Sequence, residues 1–275
     1  MTVREALEHA AERLDAAGCE TPRVDAELLL AHMLDSTRSA VVADGDRALT
    51  GAEASQLAAL TGRRAAREPL AYVLGEWGFR RLVLEVDARV LVPRPETEIV
   101  VERCLALIDG LAAPRVLDVG TGSGAIALAI VDEHPGARVT GGDVSQEALS
   151  VARANAARSG LAVELVELDL FAGLPAGPWS LVVSNPPYVR AADIDRLGIE
   201  VREWEPRVAL VAEGATEAVA RAAVAVLEPG GALVLEVADG EAAGVADMLR
   251  ELAYEGVGVT HDLSGRERVV EGKRP

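Results

Sequence analysis

Arg115-Val116-Leu117-Asp118-Val119-Gly120-Thr121-Gly122-Ser123-Gly124 is a β-branched run that ends in alternating glycines, and Ala125-Ile126-Ala127-Leu128-Ala129-Ile130-Val131 follows directly. The first part reads as a buried strand and the last as an apolar helix, so the glycines form the turn between them. Glycine lets the backbone approach a ligand closely, and the start of a helix offers N–H groups. The helix is expected to stop before His134-Pro135-Gly136, and Ala137 to Gly142 reads as the next strand, with Asp143 at its end. A carboxylate about 20 residues beyond the first loop glycine is placed to reach ribose hydroxyls. This pattern predicts an open, mainly parallel α/β sheet with a nucleoside ligand at the carboxyl edge of its strands. Gly120-x-Gly122-x-x-Ala125 also fits the relaxed dinucleotide fingerprint. Asp118 weighs against that alternative, because a carboxylate two residues before the first glycine repels a pyrophosphate yet favours the sulfonium and amino group of S-adenosylmethionine.

Downstream, Trp179-Ser180-Leu181-Val182-Val183-Ser184 reads as another buried strand, and Asn185-Pro186-Pro187-Tyr188 stops it. Two prolines cannot continue a sheet ladder and each fixes its own φ, so Asn185 is held rigidly at a strand's carboxyl end. The Asn185 side-chain carbonyl and the Pro186 backbone carbonyl together offer two acceptors for a planar NH2 group. An amide or aromatic amine nitrogen is a poor nucleophile because its lone pair is delocalised; accepting both its protons orients it and raises its electron density. Tyr188 is expected to pack on the flat substrate group. The competing reading is a proline-rich turn capped by Asn. The glycine loop combined with Asn-Pro-Pro-Tyr resembles the S-adenosylmethionine-dependent methyltransferases that act on exocyclic or amide nitrogens, a group that includes DNA adenine, ribosomal RNA and protein glutamine enzymes.

Further segments narrow that resemblance. Leu91-Val92-Pro93-Arg94-Pro95-Glu96-Thr97-Glu98 and Glu68-Pro69-Leu70-Ala71-Tyr72-Val73-Leu74-Gly75-Glu76 closely resemble segments of the peptide chain release factor glutamine N(5)-methyltransferases. The likeness continues through Asp25-Ala26-Glu27-Leu28-Leu29-Leu30 and Arg266-Glu267-Arg268-Val269, and so spans essentially the whole chain. It implies a Rossmann-like, seven-stranded class I methyltransferase domain and transfer of a methyl group from S-adenosylmethionine to the glutamine of the Gly-Gly-Gln motif of class I release factors. It assigns catalysis to Asn185 and Pro186 and substrate binding to Asn185, Pro186, Pro187 and Tyr188. Cofactor binding falls to Gly120, Thr121, Gly122, Ser123, Gly124, Asp143, Asp169, Leu170 and Asn185. Asp169-Leu170 follows a strand at Val163 to Leu168 and is expected to lie against the adenine, Asp169 accepting from its amine. Leu170 stands where related enzymes also carry an aromatic, so apolar contact replaces stacking. After the strand Leu233-Val234-Leu235-Glu236-Val237 and the turn Glu228-Pro229-Gly230-Gly231, the segment Ala238-Asp239-Gly240 departs from the glycine and glutamine pattern often found in the family.

The same residues read physically give three parts. Val3, Leu7, Ala10, Ala11 and Leu14 recur at helical spacing, as do Val24, Leu28, Leu29 and Met33, and a third helix is expected around Glu53 to Arg67. Residues 1–72 are thus expected to form a small helical bundle, which the resemblance implies is a substrate-docking domain. Residues 73–92, with Gly75, Gly78 and alternating Leu82, Leu84 and Val86, read as a β-hairpin linker. Residues 93–275 form the methyltransferase domain. Flanking prolines hold Arg94 on an extended segment, and Glu96 or Thr97 starts a helix whose apolar face is Ile99, Val100, Cys104, Leu105 and Ile108. Arg94 itself reads equally as a stiff linker residue, exposed and paired with Glu96.

Charge and composition exclude other classes. A net charge of -17 with a single lysine, Lys273, leaves no basic face for a phosphate backbone, so no direct nucleic-acid partner is expected. Pairs such as Arg63-Arg64 and Arg80-Arg81 read as solvated surface. Cys19 and Cys104 make neither a disulfide scaffold nor a metal spacing, and His9, His32, His134 and His261 are scattered, so no metal is expected. Two cysteines, too few for a disulfide scaffold, with no legible signal-peptide core or membrane span, predict a cytoplasmic chain; a monomer is expected as well. Two alternatives stay open: glutamine methylation of a large-subunit ribosomal protein, and amine methylation of nucleic acid. A nicotinamide-binding oxidoreductase is the competitor from another class.

Overall fold

The computed structural model describes Met1–Pro275. Its contacts separate two units, Met1–Gly75 with Gly198–Trp204, and Glu76–Leu197 with Glu205–Pro275. The sequence reading divides the chain instead at residues 72 and 92. In the structure the hairpin packs into the second unit, because Phe79 and Leu84 are buried with Ile108 and Leu128 in one core.

The first unit is helical: α1 (Val3–Ala16), α2 (Pro22–Met33), α3 (Arg38–Ala43), α4 (Gly51–Ala65) and α5 (Leu70–Leu74). Thr2 with Glu5 and Thr50 with Glu53 form capping boxes that satisfy N–H groups at the starts of α1 and α4. The apolar faces meet in a core that includes Leu7, Leu14, Leu29, Leu30, Val41 and Leu57. Beside it Arg64, itself buried, donates to Asp25 and, with Arg67, to Glu200. These charges are desolvated but paired, the condition under which buried ions are tolerated.

The second unit runs β1 (Glu76–Phe79), β2 (Leu82–Glu85), α6 (Thr97–Ile108), β3 (Arg115–Val119), α7 (Ala125–Glu133), β4 (Arg138–Asp143), α8 (Gln146–Ser159), β5 (Glu164–Glu167) and β6 (Trp179–Ser184). After α9 (Ile199–Trp204), which groups with the first unit, come α10 (Arg207–Leu210), α11 (Ala215–Val226), β7 (Leu227–Glu236), α12 (Ala242–Glu251), β8 (Glu255–His261) and β9 (Glu267–Lys273). The sheet has seven strands in the order β5-β4-β3-β6-β7-β9-β8. β9 runs antiparallel to both neighbours, and the pairs among β3, β4, β5, β6 and β7 are parallel. Alternation along the strands buries both faces. Val116, Leu181, Val183 and Val234 pack with α6 and α7, whereas Leu117, Val182, Leu233 and Leu235 pack with α11 and α12.

Two features of this sheet position the site. Strand order reverses between β3 and β6, and ligands bind at such a switch point outside the carboxyl ends of the strands. The register also sets Val119 opposite both Gly142 and Ser184, so Gly120, Asp143 and Asn185 emerge at one level of the edge. One local expectation fails. Glu228-Pro229-Gly230-Gly231 lies inside β7 rather than in a turn before it, because its pairing with β6 shifts between Trp179 and Leu181 and accommodates the extra residues as a bulge. Gly230, at φ 79°, donates to the Arg274 carbonyl, and Arg274 donates back to Gly231, which holds the bulge against the chain's end.

Candidate active site

At the carboxyl edge lies a cavity of about 340 Å³, within the size range of small-ligand pockets. Gly120, Thr121, Gly122, Ser123, Asp143, Asp169, Leu170, Asn185 and Pro187 line it; Gly124, Pro186 and Tyr188, also singled out by the sequence, do not. Gly120 and Gly122 take φ of 77° and 56°, and a Cβ on either would meet no atom within 4 Å. The loop therefore leaves open space that a side chain would fill. Gly124 serves the fold instead: it begins α7 at φ 83°, where a Cβ would press on Leu128 at 3.1 Å.

The loop's own hydrogen bonds bear on which ligand it suits. Gly120 and Thr121 both donate to the Gly142 carbonyl, Gly122 donates to Asp143 Oδ2 at 2.9 Å, and Gly124 donates to the Thr121 carbonyl. Four loop N–H groups are thus committed internally rather than arrayed for a pyrophosphate, which disfavours the dinucleotide alternative. Asn155, fully buried on α8, clamps the loop from behind by donating to the carbonyls of Ser123 and Glu85.

Asp118 departs from its expected place. It is wholly buried beneath the loop and does not line the cavity; its Oδ2 accepts from Thr121 Oγ1 at 2.7 Å, while Oδ1 has no hydrogen-bond partner. Burial pushes its carboxyl up to about 7 against the pull of Thr121.

Asp143 is half-buried at the end of β4. Its two oxygens accept from the N–H groups of Gly122 and Ser145, which fixes the carboxylate at the cavity wall, and burial raises its pKa against those bonds. Asp169 accepts from the Phe171 N–H in a tight turn and lines the cavity as well. Phe171, which sequence reasoning passed over in favour of Leu170, also lines the wall and is 57% exposed. An aromatic left in water beside a ligand pocket is a signal the sequence did carry, since only two phenylalanines occur in the chain.

Asn185 projects from the end of β6, and its Nδ2 donates to Thr97 Oγ1 at 3.4 Å. Pro187 borders both this cavity and a second one, which Tyr188 lines. Tyr188 lines that second cavity and not the first, and burial, with Glu236 adding to it, pushes its phenol up to about 12. Arg94 lines the first cavity, but it pairs with the buried Glu205 at 2.5 and 2.7 Å rather than with Glu96. That pair ties the Pro93-Arg94 segment to the stretch 206–212, whose Val208 and Ala209 form part of the wall. No cluster of His, Cys, Asp or Glu suited to a metal ion occurs, and no helix is long and apolar enough to cross a membrane.

Comparison with known proteins places the chain. A family described as PrmC N-terminal domain matches residues 5–75, and one described as Methyltransferase small domain matches residues 97–201. The release factor glutamine methyltransferase of Deinococcus radiodurans is 46% identical over 282 residues, covering 100% of this chain and 99% of the relative. That of Rhodospirillum rubrum is 40% identical over 275 residues, covering 98% of this chain and 84% of the relative. Among solved structures, the 16S rRNA N2 G1207 methyltransferase of T. Thermophilus in complex with AdoMet and guanosine aligns with a TM-score of 0.54 at 17% identity, over 73% of this chain and 50% of that one. At that identity the likeness bears on the fold alone.

Proposed function

The chain belongs to the release factor glutamine methyltransferase family, and on that premise we propose that it methylates the side-chain amide nitrogen of the glutamine in the Gly-Gly-Gln motif of class I peptide chain release factors. S-adenosylmethionine is the methyl donor, its sulfonium making the methyl carbon electrophilic. Gly120, Thr121, Gly122 and Ser123 would cradle it, Asp143 would accept from its ribose hydroxyls, and Asp169 with Leu170 and Phe171 would meet its adenine.

The observation that carries the reading is that Asn185 lines the same cavity as the glycine loop while Pro186 and Pro187 fix the backbone beneath it. Asn185 Oδ1 and the Pro186 carbonyl accept the two N–H bonds of the glutamine amide, which holds its nitrogen toward the methyl donor and increases its electron density. No strong base is needed before attack, because the nitrogen becomes acidic only as it gains the methyl group. Positioning and fixed dipoles supply the rate. Two glycines before the glutamine let an extended peptide reach the cavity without side-chain clashes. Tyr188 lines the neighbouring cavity, next to Pro187, which borders both. The charge of -17 supports a protein substrate over nucleic acid, and we take the chain to act as a monomer.

Substituting Asn185→Ala tests the assignment. S-adenosylmethionine affinity, read by calorimetry, is expected to stay near wild type while methyl transfer falls by roughly 100- to 1000-fold, the loss typical of removing one preorganised polar group. Turnover at the wild-type rate would make Asn185 a turn residue and remove the two-acceptor mechanism.

A further inference from the structure

Asn185 is the outer member of a chain of hydrogen bonds that reaches into the core. Its Nδ2 donates to Thr97 Oγ1 at 3.4 Å, and Thr97 Oγ1 donates to Glu236 Oε2 at 2.7 Å. The three residues come from three elements: the end of β6, the first residue of α6 and the last residue of β7. Thr97 is 4% exposed and Glu236 1%. Thr97 also lines the first cavity.

A hydroxyl carries one proton. When Thr97 commits that proton to an ionised Glu236, its oxygen can only accept, so Asn185 must turn its NH2 inward and its carbonyl outward. We propose that Thr97 and Glu236 are positioning residues that set which end of the Asn185 amide faces the substrate. The inference rests on the role given to Asn185 above and deepens it, because only the carbonyl can accept from an incoming glutamine NH2. Protonating Glu236 reverses the chain. The Glu236 acid then donates to Thr97, Thr97 donates to Asn185 Oδ1, and the Asn185 NH2 is presented to another NH2, with which it cannot pair.

The surroundings make that reversal accessible near neutral pH. Arg268 on β9 and Arg94 favour the ionised form of Glu236, as does the Thr97 hydroxyl, whereas Glu96 and above all burial oppose it; Tyr188 also lies within electrostatic reach. Burial prevails and pushes the Glu236 carboxyl up to about 7. The amide should therefore be correctly turned above neutrality and increasingly misturned below it.

The test uses the fact that the chain contains only two asparagines, Asn155 and Asn185. Labelling asparagine with nitrogen-15 gives two side-chain NH2 groups, distinguishable by an Asn185→Ala control. In the full-length wild type the Asn185 signals should titrate with a midpoint near pH ~7, the Asn155 signals should not, and Glu236→Gln should abolish the step. Methyl transfer to a release factor at pH about 8 should fall about tenfold or more in Thr97→Val, mainly in kcat, and recover in Thr97→Ser, which keeps the hydroxyl. Asn185 signals that ignore pH in the wild type, a titration that persists in Glu236→Gln, or wild-type kcat in Thr97→Val would overturn the proposal. The spectra require no substrate, so a failure of the release-factor reading and a failure of the hydrogen-bond chain appear in separate measurements.

Discussion

At the scale of single residues, Asp143 accepts from the N–H groups of Gly122 and Ser145, and those bonds fix its carboxylate at the cavity wall. On the proposed reading it accepts from the ribose hydroxyls there. Asp143→Ala is expected to weaken S-adenosylmethionine binding by about 1.5–3 kcal/mol, the range for hydrogen bonds to a charged group, as read by calorimetry. Unchanged affinity would take Asp143 out of the site. Asp143 and Asn185 are legible in the sequence because each is a polar residue at the carboxyl end of an expected strand, Asp143 after Ala137 to Gly142 and Asn185 before two prolines. Thr97, Glu236 and Glu205 are not: Thr97 meets Asn185 across 88 residues and Glu236 across 139, and Arg94 meets Glu205 across 111. Pairings over such distances are made by how the helix and loop segments pack on the sheet, which no local pattern encodes. Asp118 misled for a related reason, since its position in the chain is that of a ligand carboxylate while its side chain turns beneath the loop toward Thr121.

At the scale of elements, the glycine loop and the helix caps give separable predictions. Gly122 sits at φ 56° with open space where a Cβ would be, so Gly122→Val should both strain the backbone and occupy the ligand's volume. Loss of measurable S-adenosylmethionine binding is expected in a variant whose circular dichroism is native; full binding would show that the loop is not the cradle. Thr50 caps α4 through the Glu53 N–H while Glu53 returns a bond to Thr50, so Thr50→Ala should lower stability by about 1 kcal/mol in urea unfolding. An unchanged midpoint would mean the cap contributes nothing. β3 and β6 are legible because each is a short, mainly apolar, β-branched run followed by backbone that cannot continue a strand, the glycines after Val119 and the prolines after Asn185. The helices α3 and α5, of six and five residues, span fewer than two turns and leave no periodicity to find. The turn expected at Glu228 to Gly231 was read from proline and glycine alone, and the bulge opposite β6 overrides that local preference.

At the scale of the whole molecule, the alternation of strands and helices after residue 93 points to a mainly parallel sheet, and its count of seven strands follows only from the family resemblance; the grouping of Gly198–Trp204 with the N-terminal helices is invisible in the sequence, because it depends on Glu200 meeting Arg64 and Arg67. The buried acids also predict how stability responds to pH. Asp118 and Glu236 have folded pKa values raised to about 7, so the folded state holds protons that the unfolded chain has released. Their contribution is therefore fully present at acid pH, below their unfolded values, and is lost as pH rises through about 7; between pH ~6 and ~8 each should cost about 1 kcal/mol. Glu200 acts in the opposite sense, because its pKa is lowered to about 2 and its contribution is lost only as pH falls toward that value. Urea unfolding across pH ~6 to ~8 should thus show a slope that Asp118→Asn reduces; an equal slope in the variant would refute the assignment. The central claim concerns what the intact chain modifies. Incubating the full-length protein with methyl-labelled S-adenosylmethionine and a mixture of class I release factors, a large-subunit ribosomal protein and ribosomal RNA, then mapping the label by peptide mass, tests it most directly. The account predicts one methyl group on the side-chain nitrogen of the Gly-Gly-Gln glutamine, and label on the ribosomal protein, on RNA or on any other release-factor residue would contradict it.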